Sequence, residues 1–340
     1  MTAKTNRIVL LGPQRNAITV TEELDLLGVP GKIATITAGW QEREAEDSEL
    51  QDAIGHRAVN LALHARLDRV FALDPELFRA HRARQDKLRR LQDLYRVRLN
   101  AYIGAAQELF HHAAGDDDEP AEMEPMLAVE RADAVQTVQR LDAHHLAHIV
   151  AIHEAFEREI VPGKRPALVR ERAEIAAIMD QCALVAIAGG HVATLLGRLR
   201  LLDVAAHFGA KPVLGWSAGA MVLTDRVILF HDRPPEGPGN AEVMDIGLGL
   251  AKQVVALPHA TKRLILDDGP RMALFAQRFL PALCVALDPY CRARATGKSK
   301  GRSAWELHEG TWMIDDSGRL TALEHAAEFG ADDFVAPLET

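Results

Sequence analysis

Gly215-Trp216-Ser217-Ala218-Gly219 sets a serine between two glycines. In a sharp strand-to-helix turn this spacing relieves crowding and presents the hydroxyl above a sheet edge, as in a nucleophile elbow. The flanks suit such a turn: Val213-Leu214 reads as the end of a buried strand, and Ala218 to Leu223 as a small-residue helix. A serine hydroxyl attacks an acyl group only when a base takes its proton, and an acid should orient that base. His259 is the candidate base. It follows the apolar strand Val254-Val255-Ala256-Leu257 with Pro258, which separates it from the histidine cluster on the helices, so it belongs at the carboxyl edge of the sheet, where such folds place their sites. The loop from 231 to 240 offers Asp232 as first choice for the acid and Glu236 as its alternative. Amide donors for a tetrahedral oxyanion are expected from Gly189-Gly190, which end a strand and begin a helix, and from Ala218 after the serine.

The elements that must position these residues read as an α/β chain. Ile8-Val9-Leu10-Leu11 before Gly12-Pro13 predicts a buried strand, Val20 to Leu27 a helix, Lys32 to Thr37 a second strand and Ser48 to Ile54 a second helix. The rhythm returns with a helix over Leu168 to Asp180, strand Leu184 to Ile187, a helix through Leu195 and Leu199, and strand Lys211 to Leu214. Further strands are expected at Val227 to Phe230, Gln253 to Ala256, Cys284 to Leu287 and Thr311 to Ile314. Alternation of this kind predicts a doubly wound, mainly parallel sheet.

Between the two halves the pattern changes. Leu88, Leu91, Tyr95, Leu99, Tyr102, Ala106 and Leu109 recur at helical spacing, as do Val138, Leu141, His145, Ile149, Ile152 and Phe156. Asp116 to Pro120 separates them as a charged hinge, and Pro162 to Pro166 closes the segment. The expected organisation is an α/β catalytic domain from residues 1–74 and 166–340, interrupted by a helical hairpin over 75–165.

Composition excludes several function classes. The chain has 340 residues, 48% hydrophobic and 26% charged, near the averages for globular proteins. Its net charge of −9 gives no general attraction to nucleic acid or an anionic membrane. The basic run Arg79, Arg82, Arg84, Lys87, Arg89, Arg90, Arg96 and Arg98 lacks interleaved exposed aromatics and reads as a solvated helix face. Three irregularly placed cysteines suit a reducing cytoplasm, and the short apolar run after Arg7 predicts neither a signal peptide nor a spanning helix. His144 and His148 have metal-ligand spacing but form no HExxH motif, because His145, Leu146 and Ala147 stand between them. A packed or interfacial histidine cluster is expected there, and no metal.

Three segments together resemble a known family. Ile187-Ala188-Gly189-Gly190-His191-Val192-Ala193-Thr194-Leu195-Leu196, Gly215 to Ala220, and Leu248-Gly249-Leu250 followed by Pro258-His259 resemble the dipeptidase E and cyanophycinase family of serine peptidases, which share a fold with class I glutamine amidotransferases. The step of 42 residues from Ser217 to His259 is also too short for the units that usually intervene in an α/β-hydrolase. The resemblance spans residues 6–72 and 166–320. It implies class I glutamine amidotransferase-like, flavodoxin-like layering, with Ser217 as nucleophile, His259 as base, Asp232 as third member and Gly190 as oxyanion contributor. It further implies a small peptide or isopeptide substrate cut beside an aspartyl residue, with no cofactor.

The chain departs from that pattern in three places. His191 stands where relatives commonly have Asn. Arg271 matches a basic residue that grips an acidic substrate side chain, with Arg263 competing for the role. The helical insert is absent from compact dipeptidases; it is expected to cover the site, select a different substrate or form a homodimer. Hydrolysis and acyl transfer to an amine use the same residues, and a silent serine site with a binding role for the insert is the alternative function.

Overall fold

The computed structural model describes residues 8–15, 17–115, 123–231, 239–299, 302–322 and 327–330. In chain order the elements are β1 (Ile8–Leu11), α1 (Val20–Leu27), β2 (Lys32–Ile36), α2 (Ser48–Ala53), β3 (Ala58–Asn60), α3 (Leu63–Leu73), α4 (Pro75–Gly115), α5 (Glu124–Ile160), α6 (Pro166–Asp180), β4 (Cys182–Ile187), α7 (Val192–Leu201), β5 (Val213–Trp216), α8 (Ala218–Leu223), β6 (Arg226–Leu229), β7 (Glu242–Ile246), β8 (Val254–Pro258), α9 (Ala260–Arg263), α10 (Gly269–Phe279), β9 (Leu283–Leu287), β10 (Arg292–Ser299), β11 (Arg302–Leu307), β12 (Trp312–Ile314), β13 (Leu320–Ala322) and β14 (Ala327–Gly330).

The central sheet runs β14-β11-β10-β1-β5-β4-β2-β3. Its five strands from β1 to β3 are parallel, while β10, β11 and β14 extend it in antiparallel fashion. Successive side chains of a strand point to opposite faces, and both faces here are covered. Val9, Leu11, Ile33, Leu184, Ala186 and Leu214 pack with Val20 and Leu24 of α1 and Leu50 of α2. The alternate residues Ile8, Leu10, Ala34, Ile36, Val185, Ile187 and Val213 face the larger core, which holds α3, α6, α7 and α8. That double burial is why these strands read as unbroken apolar runs.

A second sheet, β13-β12-β9-β8, and the hairpin β6-β7 lie beyond the central one. The chain is thus a mixed α/β protein with a largely parallel central sheet and long helices. The expected strand at Lys211 to Leu214 falls at Val213–Trp216 instead, running directly into Ser217. None of the described helices is long and apolar enough to cross a membrane.

The helical segment is longer than its apolar repeat suggests. Leu77, Tyr95, Leu99, Ile103, Ala106 and Phe110 of α4 are buried, as are Val135, Val138, Leu141, Ile149 and Phe156 of α5. At the base of the pair Arg165 grips Asp74 through two hydrogen bonds, its Nε donating at 2.7 Å and its Nη2 donating to Oδ1. This guanidinium holds the Asp74 carboxyl below its ordinary pKa. The hairpin also docks on the α/β body. Arg278 of α10 donates to both carboxylate oxygens of Asp142 in α5 (2.7 and 2.9 Å), to the Tyr95 hydroxyl in α4 (2.8 Å) and to the Ala241 carbonyl (2.7 Å). His153 of α5 and Arg200 of α7 meet on Asp245 of β7, at 3.0 and 2.7 Å.

The histidines of α5 divide accordingly. His145 is buried, stacked on Tyr95 at 4.0 Å between ring centres and bonded to Gln92 and the Val243 carbonyl. His144 and His148 lie on the exposed face, with ring centres 4.3 Å apart. The basic run of α4 is not uniformly solvated: Arg84 is buried over the Phe156 ring, and Arg96 pairs with Glu242. The acidic hinge 116–120 lies outside the described residues.

Candidate active site

Ser217 occupies the one-residue junction of β5 and α8 with φ 50° and ψ −120°. An L-residue pays for that conformation in steric strain, on the order of 1–3 kcal/mol, so the surroundings must enforce it. They do so through glycines. A β-carbon on Gly219 would stand 2.1 Å from the Ile187 carbonyl oxygen, and one on Gly215 would stand 2.6 Å from that of Gly219. Only glycines at both positions let α8 turn back this tightly on β4 and β5. The Ser217 amide donates to the Leu11 carbonyl at 3.3 Å, fixing the elbow to the end of β1.

The turn after β4 lies against Ser217. A β-carbon on Gly189 would be 2.8 Å from Ser217 Cβ and 3.5 Å from its Oγ, so the missing side chain is what leaves room for the hydroxyl. Gly190 has φ 111°, and a β-carbon there would meet the Gly39 backbone at 2.4 Å. Three post-strand turns, at Gly39, Gly189-Gly190 and Ser217, are therefore stacked side by side along the carboxyl edge of the sheet. Ala218 follows as the buried first residue of α8.

His191 has a positioning role in the backbone. Its amide donates to the Gly39 carbonyl at 2.7 Å, and its Nδ1 accepts the Thr194 amide at 3.2 Å, capping α7. An unprotonated imidazole nitrogen thus performs the task an Asn side-chain oxygen performs at an N-cap, which accounts physically for a histidine at this position.

His259 follows β8 with φ 61° and is half-buried. Its amide donates to the Leu287 carbonyl at 3.2 Å, and its own carbonyl accepts from Lys262 and Arg263 at 3.1 Å each. Burial lowers its imidazole pKa; Arg263 and Lys262 act in the same direction, and Asp288 opposes them. A lowered value keeps the ring neutral, as a base requires, near neutral pH.

Asp288 is the described carboxylate that acts on His259, and the sequence reading does not single it out. It follows β9 as His259 follows β8, is 8% exposed, and accepts the Thr261 amide through Oδ2 at 3.2 Å. Its Oδ1 is buried with no hydrogen-bond partner. The proposed acids Asp232 and Glu236 lie outside the described residues.

The parts are connected through main chain. His259 is bonded to Leu287, Asp288 lies against Gly12, where a β-carbon would come within 1.9 Å of its carbonyl oxygen, and Leu11 is bonded to Ser217. Among the described residues no hydrogen bond joins Ser217 Oγ to His259, or His259 to Asp288; such bonds are commonly loose without substrate.

Arg271 sits in the first turn of α10, where Asp268 caps its amide at 3.0 Å, and its Nη2 donates to the Gly239 carbonyl at 2.7 Å. It thereby ties the start of α10 to the backbone at Gly239. Arg263 lies 5.8 Å from the Phe230 ring centre. A cavity of about 490 Å³ opens beyond the Gly39 turn, between the ends of β2 and β3, with Gln41, Glu44, Asp47, Asn60, His64 and Asp68 in its lining; Ser217 and His259 do not line it.

No family model matches the sequence, and no curated protein matches it. Among solved structures the chain is similar to a peptidase from an acI-B1 Actinobacterium, at 13% identity and a TM-score of 0.45, with 96% of this chain and 97% of that chain covered. The functional reading therefore stands on the residues of the site itself.

Proposed function

We propose that this chain is a serine peptidase or amide hydrolase acting on a small peptide or isopeptide. The observation that carries the proposal is the elbow: a serine, not a glycine, held at φ 50° and ψ −120°, with Gly189 leaving space at its hydroxyl. In this reading His259 takes the Ser217 proton as Oγ attacks the carbonyl carbon. Amides of the Gly189-Gly190 turn and of Ala218 receive the oxyanion, and His259 returns the proton to the leaving amine. Water then attacks the acyl-enzyme by the same route in reverse.

Asp288 is the orienting acid of this reading. It pulls the His259 pKa upward and carries a buried oxygen free to accept a ring N–H. The resemblance to dipeptidase E and cyanophycinase adds the expectations of amidotransferase-like layering and of cleavage beside an aspartyl residue, with Arg271 gripping the acidic side chain. The segment 75–165 is then an inserted subdomain that shapes the substrate.

A fluorophosphonate probe tests the proposal. Intact-mass analysis should show one adduct on the wild type, located at Ser217 by peptide mapping, and none on Ser217→Ala. A folded wild-type protein that takes up no probe would refute it and favour a binding role for the insert.

A further inference from the structure

The turn that carries Asp288 also presents a residue that the reaction above does not use. Asp288-Pro289-Tyr290-Cys291 is closed by the Cys291 amide donating to the Asp288 carbonyl at 3.0 Å, and Tyr290 stands third with φ 71°. Proline second and positive φ third is the pattern of a type II turn, whose third position favours Gly or Asn. A tyrosine there is a backbone outlier. Core packing does not explain it, because Tyr290 is 64% exposed whereas Asp288 and Cys291 at the two ends of the turn are buried. Strained residues that do not serve packing concentrate at functional sites.

Its place in the fold indicates which part of a substrate it would meet. β5, which delivers Ser217, has β4 on one side and β1 on the other. The Gly189-Gly190 turn ends β4, so the oxyanion side is there. The Asp288 turn rests on the other side: the Gly12 amide, just past β1, donates to the Cys291 carbonyl at 3.0 Å, and Leu287 holds the amide of His259. His259 protonates the leaving amine, so groups on its side flank the leaving residue.

We infer that Tyr290 is a specificity-determining residue that stands on the leaving-group side of Ser217 and selects an aromatic or aliphatic side chain there; the inference rests on the serine-hydrolase reading. The phenol ring offers a large apolar face at little conformational cost. Lys262 and Arg263, whose charges already bear on His259, weigh against a cationic leaving residue.

The test uses the full chain with three variants, Tyr290→Phe, Tyr290→Gly and Tyr290→Asn, and aspartyl dipeptides ending in Phe, Leu or Gly. Wild type should prefer Phe or Leu over Gly by about tenfold or more in kcat/KM, and Tyr290→Phe should keep that preference. Tyr290→Gly and Tyr290→Asn should lose it while Ser217 labelling by a small fluorophosphonate is unchanged. Their Tm should hold or rise, since both residues accept φ > 0. Survival of the preference in Tyr290→Gly would overturn the inference. So would a fall in Tm of more than about 3 °C, which would make the tyrosine structural. Absence of Ser217 labelling in wild type is a different outcome, one that overturns the serine reading and this inference together.

Discussion

Replacing Asp142 with alanine should loosen the α4–α5 pair from α10 more than any surface change in it. Arg278 and Asp142 are each 2% exposed at the side chain, so the guanidinium has no water to fall back on when its partner is lost. Two charge-assisted bonds at 2.7 and 2.9 Å disappear, and the Tyr95 hydroxyl loses the acceptor it holds at 2.7 Å. Bonds to charged groups contribute about 1.5–3 kcal/mol each, and removing one partner of a buried pair costs about 3–5 kcal/mol; the two routes agree. With a urea m-value near 3 kcal/mol/M, the unfolding midpoint should fall by about 1–1.7 M. Arg278→Ala should cost a similar amount, because it strands the Asp142 carboxylate. The double variant should cost less than the sum of the singles by about 1–3 kcal/mol, the signature of groups that act as a pair. A loss below about 1 kcal/mol for Asp142→Ala, or strict additivity, would refute the claim that this cluster anchors the hairpin to α10.

Two further outcomes follow from the site. The rate of Ser217 labelling should rise with pH through an acid limb below that of a free imidazole, because burial and Arg263 lower the His259 pKa. Arg263→Ala removes a lowering charge and should move that limb up; Asp288→Asn removes the raising charge and should move it down while slowing the reaction. Limbs that stay put in both variants would show that neither charge reaches the base. Gly190→Ala forces a β-carbon to 2.4 Å from the Gly39 backbone at a φ of 111°; a loss of about 1–3 kcal/mol in urea stability together with slower Ser217 labelling is expected, and wild-type behaviour would contradict the stacked-turn geometry.

How much of this was readable in advance depends on where each residue finds its partners. β1, β2, β4 and β5 are buried on both faces, so their apolar runs announce them. β10 does not: its sequence RARATGKS is almost devoid of strand signal. Arg292 and Arg294 are neutralised by Glu23 of α1, which is fully buried and sits some 270 positions away in sequence. No local pattern contains that pairing. β3 and β7 are similar cases, the first three half-buried residues long and the second, EVMDI, carrying Glu242 and Asp245, which answer to Arg96 and to Arg200 with His153.

The site divides along the same line. Ser217 and the Gly189-Gly190 turn show in sequence because glycines at fixed spacing have few other uses, and His259 shows because a polar residue directly past an apolar strand belongs at a sheet edge. Asp288 satisfies that second rule equally well, following Leu283–Leu287 as His259 follows Val254–Pro258. Asp232 and Glu236 both precede His259 in the chain, whereas Asp288 follows it. Order along the chain carries little physical information, since β8 and β9 are paired in parallel with Pro258 opposite Leu287. That register brings the residues after both strands to the same edge whatever their sequence separation. The rule that a site collects the first polar residues past several parallel strands applies to Asp288 as it does to His259, and it makes Asp288 a candidate that residue order along the chain does not suggest.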